Sequence, residues 1–168
     1  ENPIFSFDSV PFLANSFPAT QKLWQIARPY LDKRLAGQGI VLLYGVTWPP
    51  QGIYTKRPVN SVADLKGTKF RTYSPTTSEF AKLLGAIPTT VQLPEIPQAF
   101  RTGLVDAMIT SGAAGVETQA WDYLSYYYDV QAFLPLNVVI VNQSAFGKLD
   151  PGLRKQILAL AAQAEQRG

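Results

Sequence analysis

The stretch TKFRTYSPTTSEFAKLLGAIPTTVQLPEIPQAFRTGLVDAMIT, residues 68–110, decides the fold of this chain. Runs of apolar and β-branched residues predict three short strands, at 68–72, 88–93 and 104–110. The residues between the strands carry apolar side chains at the three-and-four spacing of a helical face. Strands and helices that alternate in this way indicate a βαβαβ unit with parallel strands and helical crossovers, so the chain is predicted to be α/β.

The two helices of this unit carry sequence signals at their ends. Thr76 and Glu79 match the T-x-x-E capping box, which predicts the start of the first helix. Gly85 and Gly103 follow the last apolar positions of the two helices, where glycine commonly ends a helix.

Arg71 stands where the first strand ends and a Ser-Pro pair begins the next helix. Ligands of open parallel sheets bind outside the carboxyl ends of the strands. A guanidinium offers a two-pronged donor, and the nearby helix N-terminus favours an anion, so this position suits a carboxylate. Alternatively, Arg71 pairs with a structural carboxylate such as Asp64, or extends into solvent.

Two further segments could complete a site at this edge of the sheet. The third strand ends in ITSGAAG, where Thr110 and Ser111 offer hydroxyl groups ahead of small residues. The segment WPPQG contains Trp48 and Gln51, which could form an apolar wall with one amide. The alternatives are that Thr110 and Ser111 cap a helix and that Trp48 is part of the core.

The sequence outside the βαβαβ unit predicts further elements on both sides. The aromatic segment Glu1–Phe17 lacks helical or strand periodicity and is predicted to be an extended packing surface. The other predictions are a helix from Pro18 that Pro29 kinks or divides, a strand at 40–46, an irregular WPPQG segment at 48–52, an aromatic-rich helix at 115–128 with Trp121, Leu124 and Tyr128, a strand at 137–142, and a last helix that Asp150 caps and Pro151 begins.

Composition excludes several classes of function. The net charge is +3, and the basic residues are scattered, which argues against nucleic acid as a partner. The sequence contains no histidine and no cysteine, which excludes histidine catalysis, thiol nucleophiles, disulfides and ordinary zinc sites. The acidic residues lack metal-type spacing, and no nucleophile or phosphate-loop motif occurs, so we expect no enzyme activity, cofactor or metal. No apolar run is long enough to cross a bilayer, and no signal peptide opens the chain.

Three segments carry a resemblance to a known family: KRPVNSVADLKGTKFRTYSP (56–75), LLGAIPTTVQLPEIPQAFRTGLVDAMIT (83–110) and NQSAFGKLDPGLRKQI (142–157). With the preceding WPPQGIYTK, they resemble the substrate-binding proteins of tripartite ATP-independent periplasmic (TRAP) transporters, the DctP-like family. The most specific parts are DLKGxKFR and the E-x-x-x-A-F-x-x-G-x-V-D pattern from Glu95 to Asp106.

The resemblance implies a clamshell fold like that of periplasmic binding proteins, in which two α/β lobes hold a ligand in the cleft. Mixed, mostly parallel sheets flanked by helices are expected. By analogy, 1–48 would be part of lobe I, 49–135 would form lobe II around the βαβαβ core at 68–110, and 136–168 would return to lobe I. Family members are longer, so we expect a fragment that lacks the N-terminal part of lobe I and the C-terminal tail.

The resemblance also implies roles for individual residues. The family arginine that engages the substrate carboxylate corresponds to Arg71. A pocket position that is often asparagine corresponds to Thr110, and Gln51 stands where sialic-acid-binding members have a second arginine. Trp48, Tyr73 and Trp121 could form an apolar wall for a 2-oxo or aromatic monocarboxylate.

The resulting hypothesis is a periplasmic solute-binding protein that captures a small carboxylate and delivers it to TRAP membrane permease subunits. The alternative is a ligand-sensing effector domain of a regulator or sensor that uses the same pocket. Exposed apolar residues from Ile4 to Phe12 would favour association of a fragment, so a homodimer is also expected.

Overall fold

The computed structural model describes residues 3–168. Its helices are α1 (Phe17–Ala36), α2 (Pro75–Leu83), α3 (Ile96–Arg101), α4 (Gly112–Glu117), α5 (Gln143–Gly147) and α6 (Pro151–Arg167). Its strands are β1 (Ile40–Thr47), β2 (Gln51–Thr55), β3 (Lys69–Thr72), β4 (Ile87–Thr90), β5 (Ala107–Ser111), β6 (Tyr126–Tyr128) and β7 (Leu136–Asn142). Short 3₁₀ turns link several of these elements.

The strands form two sheets, one of five strands in the order β4-β3-β5-β2-β6 and one in which β1 pairs with β7. The predicted run of strand, helix, strand, helix, strand is present as β3-α2-β4-α3-β5. Strand β3 lies parallel to both β4 and β5, with Arg71 opposite Thr89 on one side and Met108 on the other. Right-handed crossovers through helices are the usual connection between such strands.

The expectation of mostly parallel sheets is not met, because three of the five strand pairings between residues 3 and 168 are antiparallel. Strand β2 runs antiparallel to β5 and to β6, and β1 runs antiparallel to β7. Strands β2 and β6 come from segments whose sequence predicts a turn and a helix, so their pairing could not be anticipated. The fold is α/β with mixed sheets, as predicted.

Two of the misassigned segments have clear local causes. In WPPQG, the two prolines lack backbone N–H groups, but Gln51 has one and donates it to the carbonyl of Phe133, 3.0 Å away, so β2 begins there. The predicted aromatic helix at 115–128 stops at Glu117, and Gln119 has a left-handed φ of 51°. Aromatic residues favour strands, and Tyr126–Tyr128 form β6.

Helix ends and the N-terminal segment also differ from expectation. Ser74, not Thr76, caps α2, because its Oγ accepts the N–H of Thr77 at 3.1 Å while Pro75 occupies the first helical position. Pro29 does not divide α1. The N-terminal segment, predicted to be an extended packing surface, forms two 3₁₀ turns in its described part, Pro3–Phe5 and Phe7–Ser9.

The five-stranded sheet is packed on both faces. Because side chains alternate along a strand, Ala107 and Ile109 of β5 join one apolar cluster with Phe70 and Phe133, while Met108 joins the other. A third cluster packs α1 against β1. Burial on both faces makes the sheet a rigid base for side chains at its ends.

Two chain segments connect the sheets, and they are hydrogen-bonded to each other. The N–H of Trp48 donates to the carbonyl of Pro135 at 2.8 Å. Gln51 donates to Phe133, and Ala132 donates back to the carbonyl of Gln51, each at 3.0 Å. The connections therefore form a paired ribbon. None of the helices between residues 3 and 168 is both long and apolar enough to span a membrane.

Candidate ligand-binding site

A cavity of about 350 Å³ opens where β3 and β5 end and β2 begins. The antiparallel register places Gln51, the first residue of β2, opposite Ser111, the last residue of β5. Residues from three strands therefore meet at one edge of the sheet. Six of the seven residues predicted to bind ligand line this cavity: Trp48, Gln51, Arg71, Tyr73, Thr110 and Ser111.

Arg71 supplies a buried positive charge to the cavity. Its side chain is 3% exposed, its Nε donates to the carbonyl of Val91 at 2.8 Å, and its Cζ lies 4.9 Å from the centre of the Tyr73 ring. Burial lowers the pKa of Arg71 to about 10, so the guanidinium stays charged at neutral pH. No carboxylate between residues 3 and 168 forms an ion pair with it.

Asp64, the alternative partner, is engaged elsewhere. Its carboxylate accepts the backbone N–H groups of Asn60 and Ser61, each at 2.9 Å, and these bonds lower the pKa of Asp64. A buried charge without a counter-charge is costly, and an anion in the cavity would offset that cost. The surroundings of Arg71 therefore suit an anionic ligand.

Tyr73 and Gln51 form a fixed polar pair beside the guanidinium. The Tyr73 hydroxyl donates to Oε1 of Gln51 at 3.2 Å, and Nε2 of Gln51 donates to the carbonyl of Pro49 at 3.1 Å. Burial raises the pKa of Tyr73, and the charge of Arg71 opposes this shift only in part. Tyr73 therefore remains a neutral hydroxyl, and it holds the Gln51 amide in one orientation.

The hydroxyl residues at the end of β5 have different roles. The Oγ of Ser111 accepts the N–H of Ala114 at 3.1 Å, so Ser111 caps α4, which was its alternative assignment. Thr110 is 5% exposed and lines the cavity, and its hydroxyl has no hydrogen-bond partner between residues 3 and 168. Thr110 is therefore the better candidate for a contact with ligand.

Trp121 lies away from this cavity, which corrects its predicted place in the apolar wall. It belongs to the 3₁₀ turn Ala120–Asp122, is 63% exposed, and lines a separate depression beside Tyr126 and Tyr127. Trp121 lies away from the cavity because α4 ends at Glu117 and the chain changes direction there. Trp48 does line the cavity and is only partly buried, so it is not simply core.

Asp8, which no sequence pattern singles out, also lines the cavity. Its Oδ2 accepts the N–H of Leu136 at 2.7 Å, and its Oδ1 accepts the hydroxyl of Ser9 at 3.0 Å. Burial raises the pKa of Asp8, and the charge of Asp8 in turn raises the pKa of Tyr73. The cavity thus contains a carboxylate as well as a guanidinium.

A larger cavity of about 550 Å³ lies between α1, β1 and α6, but its charges are matched. Arg28 forms an ion pair with Glu165, which also accepts the indole N–H of Trp24 at 3.0 Å. This arrangement is typical of a structural contact between elements. Among residues 3–168, no group of three or more His, Cys, Asp or Glu side chains could hold a metal ion.

Solved structures and a curated relative are similar to this chain. The receptor DctP7 of Bordetella pertussis, which binds pyroglutamic acid, is 60% identical with a TM-score of 0.98, over 99% of this chain and 56% of that chain. A marine metagenome TRAP solute-binding protein specific for pyroglutamate is 41% identical with a TM-score of 0.92, over 97% of this chain and 53% of that chain. The 2,3-diketo-L-gulonate-binding periplasmic protein YiaO of Escherichia coli is 28% identical over 97% of this chain and 51% of its own length.

The chain spans about half the length of the curated relatives that it matches. Residues 2–168 match the family described as bacterial extracellular solute-binding protein, family 7 (DctP). This match covers nearly the whole chain. The chain therefore belongs to the DctP family of extracellular solute-binding proteins.

Proposed function

We propose that this chain forms the carboxylate-binding part of a TRAP solute-binding protein, in which Arg71 holds the acid group of a small ligand. The observation that carries the proposal is the buried Arg71 guanidinium, which faces a cavity and has no ion-pair partner between residues 3 and 168. A carboxylate there would gain charge-assisted hydrogen bonds in a setting largely free of water. The bound acid would then be delivered to the membrane permease subunits of a TRAP transporter.

The ligand that we propose is pyroglutamate, a five-membered lactam that carries one carboxylate. Two similar receptors bind this acid, and one of them is 60% identical to this chain. Arg71 would hold its carboxylate, while the Gln51 amide and the Thr110 hydroxyl would be available to its lactam group. We prefer pyroglutamate to the 2-oxo or aromatic acid of the sequence hypothesis, because two similar receptors bind it.

We further propose that the cavity lies in the cleft between two lobes. The lobes would consist of 1–48 with 136–168 and of 49–135. The separate β1–β7 sheet supports this division, and the five-stranded sheet lies wholly within the second of these parts. The cavity draws Asp8 and Leu136 from the first part and Arg71 and Thr110 from the second.

The Arg71→Ala substitution tests the carboxylate contact by calorimetry with pyroglutamate, using the longest natural form of the protein that contains these residues. A hydrogen bond between charged groups contributes about 1.5–3 kcal/mol, so the loss of a two-pronged contact should weaken binding by about 100-fold or more. Arg57→Ala, which removes an exposed arginine outside the cavity, is the matched control and should bind normally. If Arg71→Ala kept the wild-type affinity, the proposal would be wrong.

A further inference from the structure

The cavity is bipolar, because it is lined by Asp8 as well as Arg71. The two groups form no ion pair with each other. Tyr73 is influenced by both: the charge of Arg71 lowers its pKa, and the charge of Asp8 raises it. A ligand that satisfies both groups needs an anionic end and a hydrogen-bond donor.

Asp8 has acceptor capacity beyond its contacts within the chain. Each carboxylate oxygen has about two lone-pair positions, and each oxygen of Asp8 accepts one hydrogen bond, from Leu136 and from Ser9. Burial raises the pKa of Asp8, which means that these two bonds do not fully compensate for the loss of water. A further donor would therefore be favourable.

We propose that Asp8 determines specificity by accepting a hydrogen bond from an N–H group of the ligand. The site would thus select organic acids that carry an N–H donor, such as a lactam acid, over acids of the same shape that lack it. This inference rests on the proposed function, since the lactam N–H of pyroglutamate is the donor in question. A site with a buried polar group rejects an analogue that cannot pair with it more strongly than an apolar site would.

The test compares pyroglutamate with 3-oxocyclopentane-1-carboxylate, in which a CH₂ group replaces the lactam N–H. Both ligands keep the carboxylate and the ring carbonyl. Calorimetry on the longest natural form of the protein should give wild-type discrimination of about tenfold or more, as expected for a hydrogen bond to a charged acceptor. Asp8→Asn should reduce the ratio of the two affinities, because an amide oxygen is a weaker, neutral acceptor, and Asp8→Ala should bring it close to one.

The ratio is measured on one variant at a time, so a general loss of stability, which lowers the binding-competent fraction equally for both ligands, cancels. Asp64→Asn is the matched control, because Asp64 also accepts backbone N–H groups but does not line this cavity, and its ratio should equal that of wild type. If the Asp8 variants kept the wild-type ratio, or if wild type did not discriminate, this inference alone would be overturned. If wild type did not bind pyroglutamate at all, the proposed ligand and this inference would both be overturned.

Discussion

Arg71 is the residue on which the proposed carboxylate contact depends. Burial lowers its pKa to about 10, yet at neutral pH the guanidinium still carries its charge. Its aromatic neighbour Tyr73 and the carbonyl of Val91 hold the side chain in place without neutralising it. A bound anion at Arg71, as we propose, would offset more of the free energy that burial costs, and this would link ligand binding to stability.

Asp8 gives a prediction about pH at the residue scale. Its pKa in the folded chain lies above the ordinary value of 3.8, so its contribution to stability is fully present below pH 3.8 and is lost as the pH rises through the folded-state pKa. Asparagine does not titrate at this position. We therefore expect wild type to lose stability relative to Asp8→Asn as the pH rises from 3.8 through the folded-state pKa of Asp8, as measured by urea unfolding.

Asp64 provides a control of opposite sign. Its pKa is lowered by backbone hydrogen bonds, so its contribution is present above pH 3.8 and is lost as the pH falls through the folded-state pKa. Wild type should therefore lose stability relative to Asp64→Asn on acidification. A pH-independent difference between wild type and Asp8→Asn would contradict the assignment of Asp8 as a buried carboxylate.

Residues near the ends of predicted strands could be placed from the sequence, whereas residues that depend on distant contacts could not. Arg71 and Thr110 follow from the βαβαβ pattern, because the carboxyl ends of parallel strands meet at one edge. Asp8 could not be placed, because its contact with Leu136 spans 128 residues. Trp121 also could not be placed, because helical periodicity does not reveal the left-handed backbone at Gln119.

At the scale of elements, α4 packs so closely on β2 that a glycine is required between them. A Cβ atom on Gly115 would collide with the hydroxyl and ring of Tyr54. The Tyr54 hydroxyl donates to the carbonyl of Ser111 at 3.4 Å, and its ring packs against Tyr127 with centroids 4.5 Å apart, so the ring is not free to move away. Ser111 caps α4, so this contact also positions the helix next to the cavity.

Gly115→Ala should therefore destabilise the chain by about 1–3 kcal/mol through overpacking. The matched control lies in the same helix, since a Cβ on Gly112 would meet no atom within 4 Å. Gly112→Ala should be neutral or slightly stabilising, because alanine restricts the unfolded chain. Urea unfolding of both variants measures the difference, and equal midpoints would show that Tyr54 moves to accommodate the new side chain.

At the scale of the whole molecule, the matches confirm the resemblance, the α/β fold class and the extracytoplasmic location that the family implies. The family and the similar structures are solute-binding receptors and not enzymes, as the composition predicted. The lobe boundaries stay a prediction. They could be tested by measuring how the two sheets move relative to each other. No local sequence pattern predicts such a motion.

The 168-residue chain alone should associate in solution. Strand β7 belongs to a sheet of only two strands, and Val138, Val139 and Ile140 are 42%, 37% and 47% exposed. An exposed apolar edge strand is a template for pairing with another chain. Sedimentation should reveal dimers or larger species, and Val138→Lys with Ile140→Lys should reduce them. A monodisperse wild-type monomer would contradict this prediction.

The paired ribbon formed by residues 48–51 and 132–135 has a mechanical consequence. Two connections without mutual contacts would allow rotation of the sheets about several axes. Two connections joined by backbone hydrogen bonds would resist twisting and would bend mainly about one axis. If the two proposed lobes move relative to each other, this pairing would favour rotation about one axis. Asp8 and Arg71 would then return to the same alignment each time the two proposed lobes close.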